Sequence, residues 1–181
     1  EDIAGKVAVW LVNSNLSGHP SHGVMRIAQY VDDIASGLFR PEERPGEIRE
    51  SATSVLIDGR YGFGHIAAEA LTLAVTQKAK REGVAIGGIV NCNHIGRLGE
   101  WAELGAAHNV MFFMAAGGPG PMKVAPFGGA EGRLATNPIA FGAPAGEDPP
   151  MIMDFATSVT AEGKLRVARD KGVAVPPGQI L

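Results

Sequence analysis

The fold is organised around one polar stretch, Ser17-Gly18-His19-Pro20-Ser21-His22-Gly23-Val24-Met25-Arg26. Apolar residues recur with helical spacing on both sides of it, at residues 3–16 and 24–38, and this pattern predicts two helices. Gly18 and Pro20 predict the end of the first helix, because both residues are unfavourable inside a helix. The stretch is therefore predicted to be a corner between two helices.

Two side chains of this corner are suited to catalysis. We expect Ser21 to cap the second helix, which would place His22 and Arg26 one turn apart on the same face. Histidine can act as a general acid or base, and arginine can hold a carboxylate through two hydrogen bonds. The pair suits chemistry on a small carboxylic acid. A plain helical corner with a solvated His22 and Arg26 is the alternative, and the stretch alone leaves both open.

The composition is that of a globular protein and argues against several partners. The 181 residues are 45% hydrophobic and 19% charged, with a net charge of −3 and no Lys/Arg cluster, so nucleic acid is not an expected partner. The longest apolar runs, residues 7–12 and 110–116, are too short to span a bilayer. Cys92 is the single cysteine, which excludes an internal disulfide. We expect it to be buried, in a reducing and cytoplasmic environment; a reactive thiol is the alternative.

Beyond the corner, strands and helices alternate. This pattern predicts an α+β fold whose sheet is not the simple parallel sheet of a Rossmann domain. We divide the chain into an N-terminal helical part, residues 1–45, and an α+β cofactor-binding part, residues 46–181. Strands are predicted at residues 54–58, 84–90, 110–114 and 151–155, with a polar turn entering a further strand at 136–142. Helices are predicted to end at Glu82, to span 99–108 and to span 156–169.

A glycine motif at residues 62–67, Gly-Phe-Gly-His-Ile-Ala, follows a strand and opens a helix. This is the outline of a dinucleotide-binding fingerprint. The fingerprint also requires an acidic residue at the end of the next strand, where this chain has Asn91-Cys92-Asn93. The missing acid favours the simpler interpretation, a glycine turn that leads into a helix. We take His65, inside the motif, as structural or exposed.

Two later positions are candidates for binding. His94 lies at a strand-to-helix junction, where α/β units place functional groups, although simple loop packing explains it as well. Asp154 ends a strand and is followed by Thr157, Ser158 and Thr160, which we expect on the first turn of a helix. An acid followed by hydroxyls suits the ribose and phosphates of a nucleotide, or an N-cap box that needs no ligand. No grouping completes a zinc site, and no serine-hydrolase or Walker motif is present, so no metal is expected.

Four motifs in this order resemble one family, the malate/L-lactate dehydrogenase family of the non-Rossmann type, which includes ureidoglycolate, sulfolactate and diketogulonate oxidoreductases. The motifs are residues 18–26 (Gly-His-Pro-Ser-His-Gly-Val-Met-Arg), 93–96 (Asn-His-Ile-Gly), 136–142 (Thr-Asn-Pro-Ile-Ala-Phe-Gly) and 154–158 (Asp-Phe-Ala-Thr-Ser). The resemblance implies an NAD- or NADP-dependent homodimeric oxidoreductase that interconverts a 2-hydroxy acid and its 2-oxo acid. It also implies N-terminal helices joined to a predominantly antiparallel α+β domain, and removes the fingerprint interpretation of the glycine motif.

The resemblance also assigns roles to residues of this chain. Ser21 and His22 match a Ser-His pair whose histidine is a proton donor in some members, and His94 matches the acid/base histidine of others and a cofactor contact. Arg26 matches the arginine that holds the substrate carboxylate. The substrate-side residues are matched by Thr136 and its neighbour Asn137. The cofactor-binding turn is matched by Asp154, Phe155, Ala156, Thr157 and Ser158.

Two departures from the family pattern bear on activity. Residues 115–118, Ala-Ala-Gly-Gly, stand where relatives often have Ser, Asn or Thr, so we expect a cofactor contact there to be lost or made by the backbone. Family chains also continue well past Leu181, and the chain begins with Glu1 rather than Met, so we expect a fragment. A catalytically incomplete fragment, or a small-molecule binding module with the same pockets, is therefore the alternative to an active dehydrogenase.

Overall fold

The structure, a computed structural model, describes residues 2–118 and 122–179. In chain order the elements are α1 (Ile3–Leu16), a short 3-10 turn (Pro20–His22), α2 (Arg26–Ala35), β1 (Gly46–Glu50), β2 (Ser54–Asp58), α3 (Gly64–Glu82), β3 (Ile86–Val90), α4 (Leu98–Ala107), β4 (Phe112–Ala115), β5 (Ile139–Ala145), β6 (Asp148–Phe155) and α5 (Glu162–Asp170). Among these helices, none combines the length and the apolar character that a membrane crossing requires.

The corner after α1 differs from the prediction. Ser21 and His22 lie in the 3-10 turn, and α2 begins only at Arg26, so Ser21 does not cap a helix and His22 shares no helix face with Arg26. Pro20 begins the turn because its fixed φ suits the first position of a helical turn. The side chain of Asn15, from α1, accepts a hydrogen bond from the N–H of Val24 at 2.8 Å. The corner is thus stabilised from the preceding helix.

The strands form two three-stranded sheets in the described part of the chain. In the first, β1 pairs antiparallel with β2, and β2 pairs parallel with β3. In the second, β4, β5 and β6 pair antiparallel in that order. One parallel pair among mostly antiparallel pairs confirms the predicted α+β class. The strand β1, which follows Pro45, was not predicted, because its residues are charged and mostly exposed.

The main core lies where α3, which packs on the first sheet, meets α4, which packs on the second. Its buried residues are Val55, Ile57, Ala68, Leu71, Val75, Leu98, Trp101, Ala102, Phe112, Met114 and Ala140. Trp101 is fully buried, and its indole N–H donates to the main-chain oxygen of Ile95 at 3.0 Å. This bond ties the loop between β3 and α4 to the core.

A second cluster joins the N-terminal helices to α3. Val7, Leu11, Tyr30 and Phe39 are buried in it, and side chains at the start of α3 pack against them. The aromatic ring of Tyr30 therefore points from α2 toward the region where α3 begins. The division of the chain at residue 45 stays a prediction.

The last helix begins later than predicted. α5 starts at Glu162, so Thr157, Ser158 and Thr160 precede it instead of forming its first turn. The hydroxyl of Thr157 donates to the main-chain oxygen of Asn137 at 2.9 Å, and that of Ser158 to the main-chain oxygen of Thr160 at 2.8 Å. The Ser158 bond is local and competes with helix formation, whereas the Thr157 bond ties its residue to a distant segment, and both fit the irregular backbone before α5.

Candidate active site

Two histidines that are far apart in the sequence meet beside the N-terminal corner. The rings of His22 and His94 stack with centroids 5.4 Å apart and planes 18° from parallel. His22 comes from the 3-10 turn, and His94 comes from the loop between β3 and α4. The structure thus brings together the two residues that the sequence offered as rival proton donors.

Arg26 and Ser21 are buried beside His22 and are tied to each other. The Nε of Arg26 donates to the main-chain oxygen of Ser21 at 2.6 Å, and its Nη1 donates to the side chain of Gln29 at 2.7 Å. The Ser21 hydroxyl lies 3.0 Å from Nδ1 of His22. These bonds hold a guanidinium, a hydroxyl and an imidazole in one fixed arrangement, although no single helix face carries them.

The start of α5 closes over this group. A Cβ added to Gly163 would lie 2.6 Å from the Cβ of Ser21 and 3.3 Å from Nη2 of Arg26. Only a residue without a side chain fits at this distance. The backbone of α5 therefore forms one wall of the site.

Tyr30 is part of the site and was missed by the sequence analysis. Its hydroxyl lies 2.7 Å from Nδ1 of His94. Burial raises the pKa of this phenol, so it keeps its hydrogen at neutral pH. The available signal was its position four residues after Arg26, which places both on one face of α2.

His94 is uncharged at neutral pH. Burial of the ring is the main cause that lowers its pKa well below the usual value, and the positive charge of Arg26 acts in the same direction. His22, His65 and Arg166 add smaller effects of the same sign. A neutral imidazole offers one hydrogen-bond donor and one acceptor.

The loop that carries His94 is shaped by the glycine motif. A Cβ added to Gly64 would lie 2.5 Å from the main-chain oxygen of His94, so the start of α3 needs glycine for this close approach. The side chain of Asn93 donates to the main-chain oxygens of Tyr61 and Gly62, at 2.7 and 3.1 Å. Close packing of two chain segments thus explains Gly64 without a nucleotide.

His65 lies beneath the site and is 1% exposed. Its ring meets those of Tyr30, His94 and Trp101 edge-on, at centroid distances of 6.1, 6.1 and 6.5 Å. Neither ring nitrogen has a hydrogen-bond partner among the residues that the structure describes. Burial therefore lowers its pKa to about 4, and the ring is neutral.

The predicted cofactor residues form a second group, which is built around Asp154. Its Oδ2 accepts a hydrogen bond from the main-chain N–H of Gly99 at 2.7 Å, so the carboxylate caps α4 from another strand. The main-chain oxygen of Thr136 accepts from the main-chain N–H of Thr157 at 3.1 Å, which joins residues 136–137 to residues 154–158. In this group Phe155 is exposed and Ala156 is half-buried.

The two groups are linked through the β3–α4 loop, because His94 lies in the middle of this loop and α4, which Asp154 caps, follows it. Within residues 2–118 and 122–179, no hydrogen bond or ring contact joins them directly. The same residues contain no cluster of three or more His, Cys, Asp or Glu side chains that could hold a metal ion. The first group can hold an anion at Arg26 and exchange a proton at a histidine.

Comparison with known proteins supports the resemblance. The sequence model of the family described as malate/L-lactate dehydrogenase matches residues 1–181. Hydroxycarboxylate dehydrogenase B of Escherichia coli O157:H7 is 40% identical over 182 residues, which are 100% of this chain and 50% of that protein. Malate dehydrogenase of Pyrococcus abyssi is 42% identical over 98% of this chain and 48% of its own length.

A solved structure that matches the fold of this chain also comes from a malate dehydrogenase. The crystal structure of malate dehydrogenase from Entamoeba histolytica matches with a TM-score of 0.90 and 31% identity, over 96% of this chain and 48% of that one. The chain thus spans about half the length of the relatives that it matches.

Proposed function

The chain belongs to the malate/L-lactate dehydrogenase family, and on this basis we propose that it is part of an NAD(P)-dependent oxidoreductase of 2-hydroxy acids. The reaction interconverts a small 2-hydroxy acid, of the malate or lactate kind, and its 2-oxo acid. The observation that carries the proposal is the stacked pair of His22 and His94 beside the buried guanidinium of Arg26. Reduction of a small 2-oxo acid requires an acid/base group that gives the carbonyl oxygen a proton and a cation that binds the carboxylate.

In this proposal each residue serves one part of the substrate. Arg26 holds the carboxylate, because its planar guanidinium can form two parallel hydrogen bonds to it. One of His22 and His94 exchanges the proton of the substrate oxygen, and the other orients that oxygen. Ser21 supports His22 through the hydroxyl contact to Nδ1. Thr136 and Asn137 complete the substrate side.

The Asp154 group fits a nicotinamide dinucleotide in one respect. The cap of α4 uses only Oδ2 of Asp154. Among the described residues no group donates a hydrogen bond to Oδ1, so Oδ1 can accept one from a ribose hydroxyl. Phe155, Ala156, Thr157, Ser158 and His94 complete the proposed cofactor contacts. When bound, the cofactor supplies or accepts the hydride. NAD and NADP both remain within the proposal, as do a homodimer and a cytoplasmic location.

The second candidate function is a small-molecule binding module, which binds the acid without turning it over. The observation that favours it is the neutral ring of His94 near Arg26, which can hold an acid by hydrogen bonds whether or not a hydride is transferred.

The test is a substrate screen with the protein expressed from its complete coding sequence. Malate, lactate and sulfolactate are offered with NAD or NADP, and nicotinamide absorbance is followed. We expect turnover of at least one acid, a kcat lowered by roughly 10²–10⁴ in His22→Ala or His94→Ala, and mainly a raised KM in Arg26→Lys. The exposed His108 supplies the control variant, His108→Ala, which should leave both constants unchanged.

Two results would overturn the dehydrogenase proposal. Absence of turnover with every acid and both cofactors would overturn it, and calorimetric binding of an acid under those conditions would favour the binding module. Near-normal kcat in both histidine variants would remove the pair from the chemistry.

A further inference from the structure

We propose that Tyr30 is a positioning residue, which fixes the hydrogen of His94 on Nε2 so that this nitrogen faces the substrate as a hydrogen-bond donor. The inference rests on the proposed function, because it specifies the form in which His94 meets the substrate oxygen. Its basis is the 2.7 Å contact between the Tyr30 hydroxyl and Nδ1 of His94.

The ring of Tyr30 is held firmly enough to act in this way. Its side chain belongs to a buried cluster and is 4% exposed. Phe39 stacks on it with centroids 5.3 Å apart, and Phe63 meets its edge at 5.8 Å. Packing on two sides fixes the direction in which the hydroxyl points.

The direction of the hydrogen bond follows from counting hydrogens. The phenol has one hydrogen, and within residues 2–118 and 122–179 its oxygen has no hydrogen-bond partner other than Nδ1 of His94. If Nδ1 carried the imidazole hydrogen, the phenol hydrogen would be buried without an acceptor, which is unfavourable. The phenol therefore donates to Nδ1, and the single hydrogen of the neutral imidazole lies on Nε2.

The surroundings of His94 support the same form. Burial of the ring and the positive charge of Arg26 both disfavour a second proton on it. The phenol also keeps its own hydrogen, since burial raises its pKa. Among the described residues Nε2 has no protein partner, so its N–H is available to a substrate carbonyl oxygen. Tyr30 thus determines which nitrogen of His94 can donate.

The experiment compares wild type with Tyr30→Phe, using the protein from its complete coding sequence. Tyr30→Phe keeps the ring and removes the hydroxyl. The ring-nitrogen chemical shifts of His94, assigned by loss of the signals in His94→Gln, report which nitrogen carries hydrogen. In wild type we expect an acceptor-type shift for Nδ1 and a donor-type shift for Nε2. In Tyr30→Phe both shifts should move toward the average of the two tautomers.

Kinetics supply the second measurement. With a 2-oxo acid, Tyr30→Phe should lower kcat by up to about tenfold, the rate equivalent of one neutral hydrogen bond, with KM nearly unchanged. Tyr61 is the other tyrosine and its side chain is exposed, so Tyr61→Phe is the matched control and should alter neither shifts nor kcat.

Several outcomes separate this inference from the proposed function. A donor-type Nδ1 in wild type overturns the inference, even if Tyr30→Phe does not fold. Shifts that are unchanged in a folded Tyr30→Phe protein also overturn it, whatever the activity. The expected shifts in a protein that turns over no 2-hydroxy acid would support the role of Tyr30 and overturn the proposed function instead.

Discussion

His65 should make the stability of the protein fall as pH is lowered, and His65→Leu tests this. The ring is 1% exposed, and burial lowers its pKa from 6.5 to about 4, with a smaller effect from the charge of His22. Below its unfolded pKa the unfolded state binds a proton that the folded state does not bind. The stability that the neutral His65 ring contributes is therefore present above pH 6.5 and is lost as pH falls toward about 4.

The size of the loss follows from the two pKa values. At about pH 5 nearly every unfolded molecule has bound the proton, whereas few folded molecules have. The difference corresponds to about 2 kcal/mol in the free energy of unfolding, relative to neutral pH. The pKa of His94 is lowered in the same direction. Wild type and His65→Leu both contain His94, so its contribution largely cancels when the two proteins are compared.

Leucine is close to histidine in volume and does not titrate, so His65→Leu removes the proton-linked loss and the two unpartnered ring nitrogens. Urea unfolding at neutral pH and at about pH 5, followed by tryptophan fluorescence, measures the effect, because Trp101 lies 6.5 Å from His65. The advantage of the variant over wild type should grow by about 2 kcal/mol at the lower pH. The exposed His108 provides the control, His108→Leu, which should leave the pH dependence as it is. An identical pH dependence in His65→Leu and wild type would refute this reasoning.

Three further predictions concern the packing around the site. Gly64→Ala places a Cβ 2.5 Å from the main-chain oxygen of His94 in the β3–α4 loop and should lower the free energy of unfolding by about 1–3 kcal/mol. Unchanged amide chemical shifts in that loop would contradict the close approach. Arg97→Leu leaves the buried carboxylate of Glu100 without its partner at 2.8 Å and should cost about 3–5 kcal/mol in urea unfolding, most of which Arg97→Leu/Glu100→Leu should recover. Asp154→Ala removes the acceptor for Gly99 and should cost about 0.5–2 kcal/mol, whereas Asp154→Asn keeps an acceptor and most of the stability. Titration of Asp154→Asn with the cofactor then reports on cofactor binding rather than on the stability of α4. Equal stability of wild type and Asp154→Ala would argue against the cap.

Elements with a strong local signal were predictable. The strand at residues 54–58 and the end of α3 before Gly83 are observed as predicted, since Gly83 adopts a positive φ of 86° that favours glycine. The start of α2 was predicted wrongly, because the turn at Pro20 and the bond from Asn15 compete with an earlier helix start. Neither competitor leaves a trace in the hydrophobic periodicity.

The candidate site was predictable as a set of residues and not as an arrangement. The motifs pointed to His22, Arg26 and His94, and the structure stacks the two histidine rings beside the guanidinium. No sequence pattern indicated that Tyr30 contacts His94, because that bond joins residues 64 positions apart. Asp154 was predicted as a ligand contact, and its bond to Gly99 across 55 positions became visible only in the fold.

By itself the sequence determined the family, the alternation of helices and strands, and the identity of the polar residues at the corner. The family follows from the order of four motifs along the chain, and the other two properties are local, because periodicity and turn chemistry depend on neighbours within a few residues. Only the tertiary structure decided which ring nitrogen of His94 meets Tyr30, which oxygen of Asp154 is used, and that His65 is neutral. Those properties depend on burial and on partners from distant segments, and packing sets both only once the chain has folded.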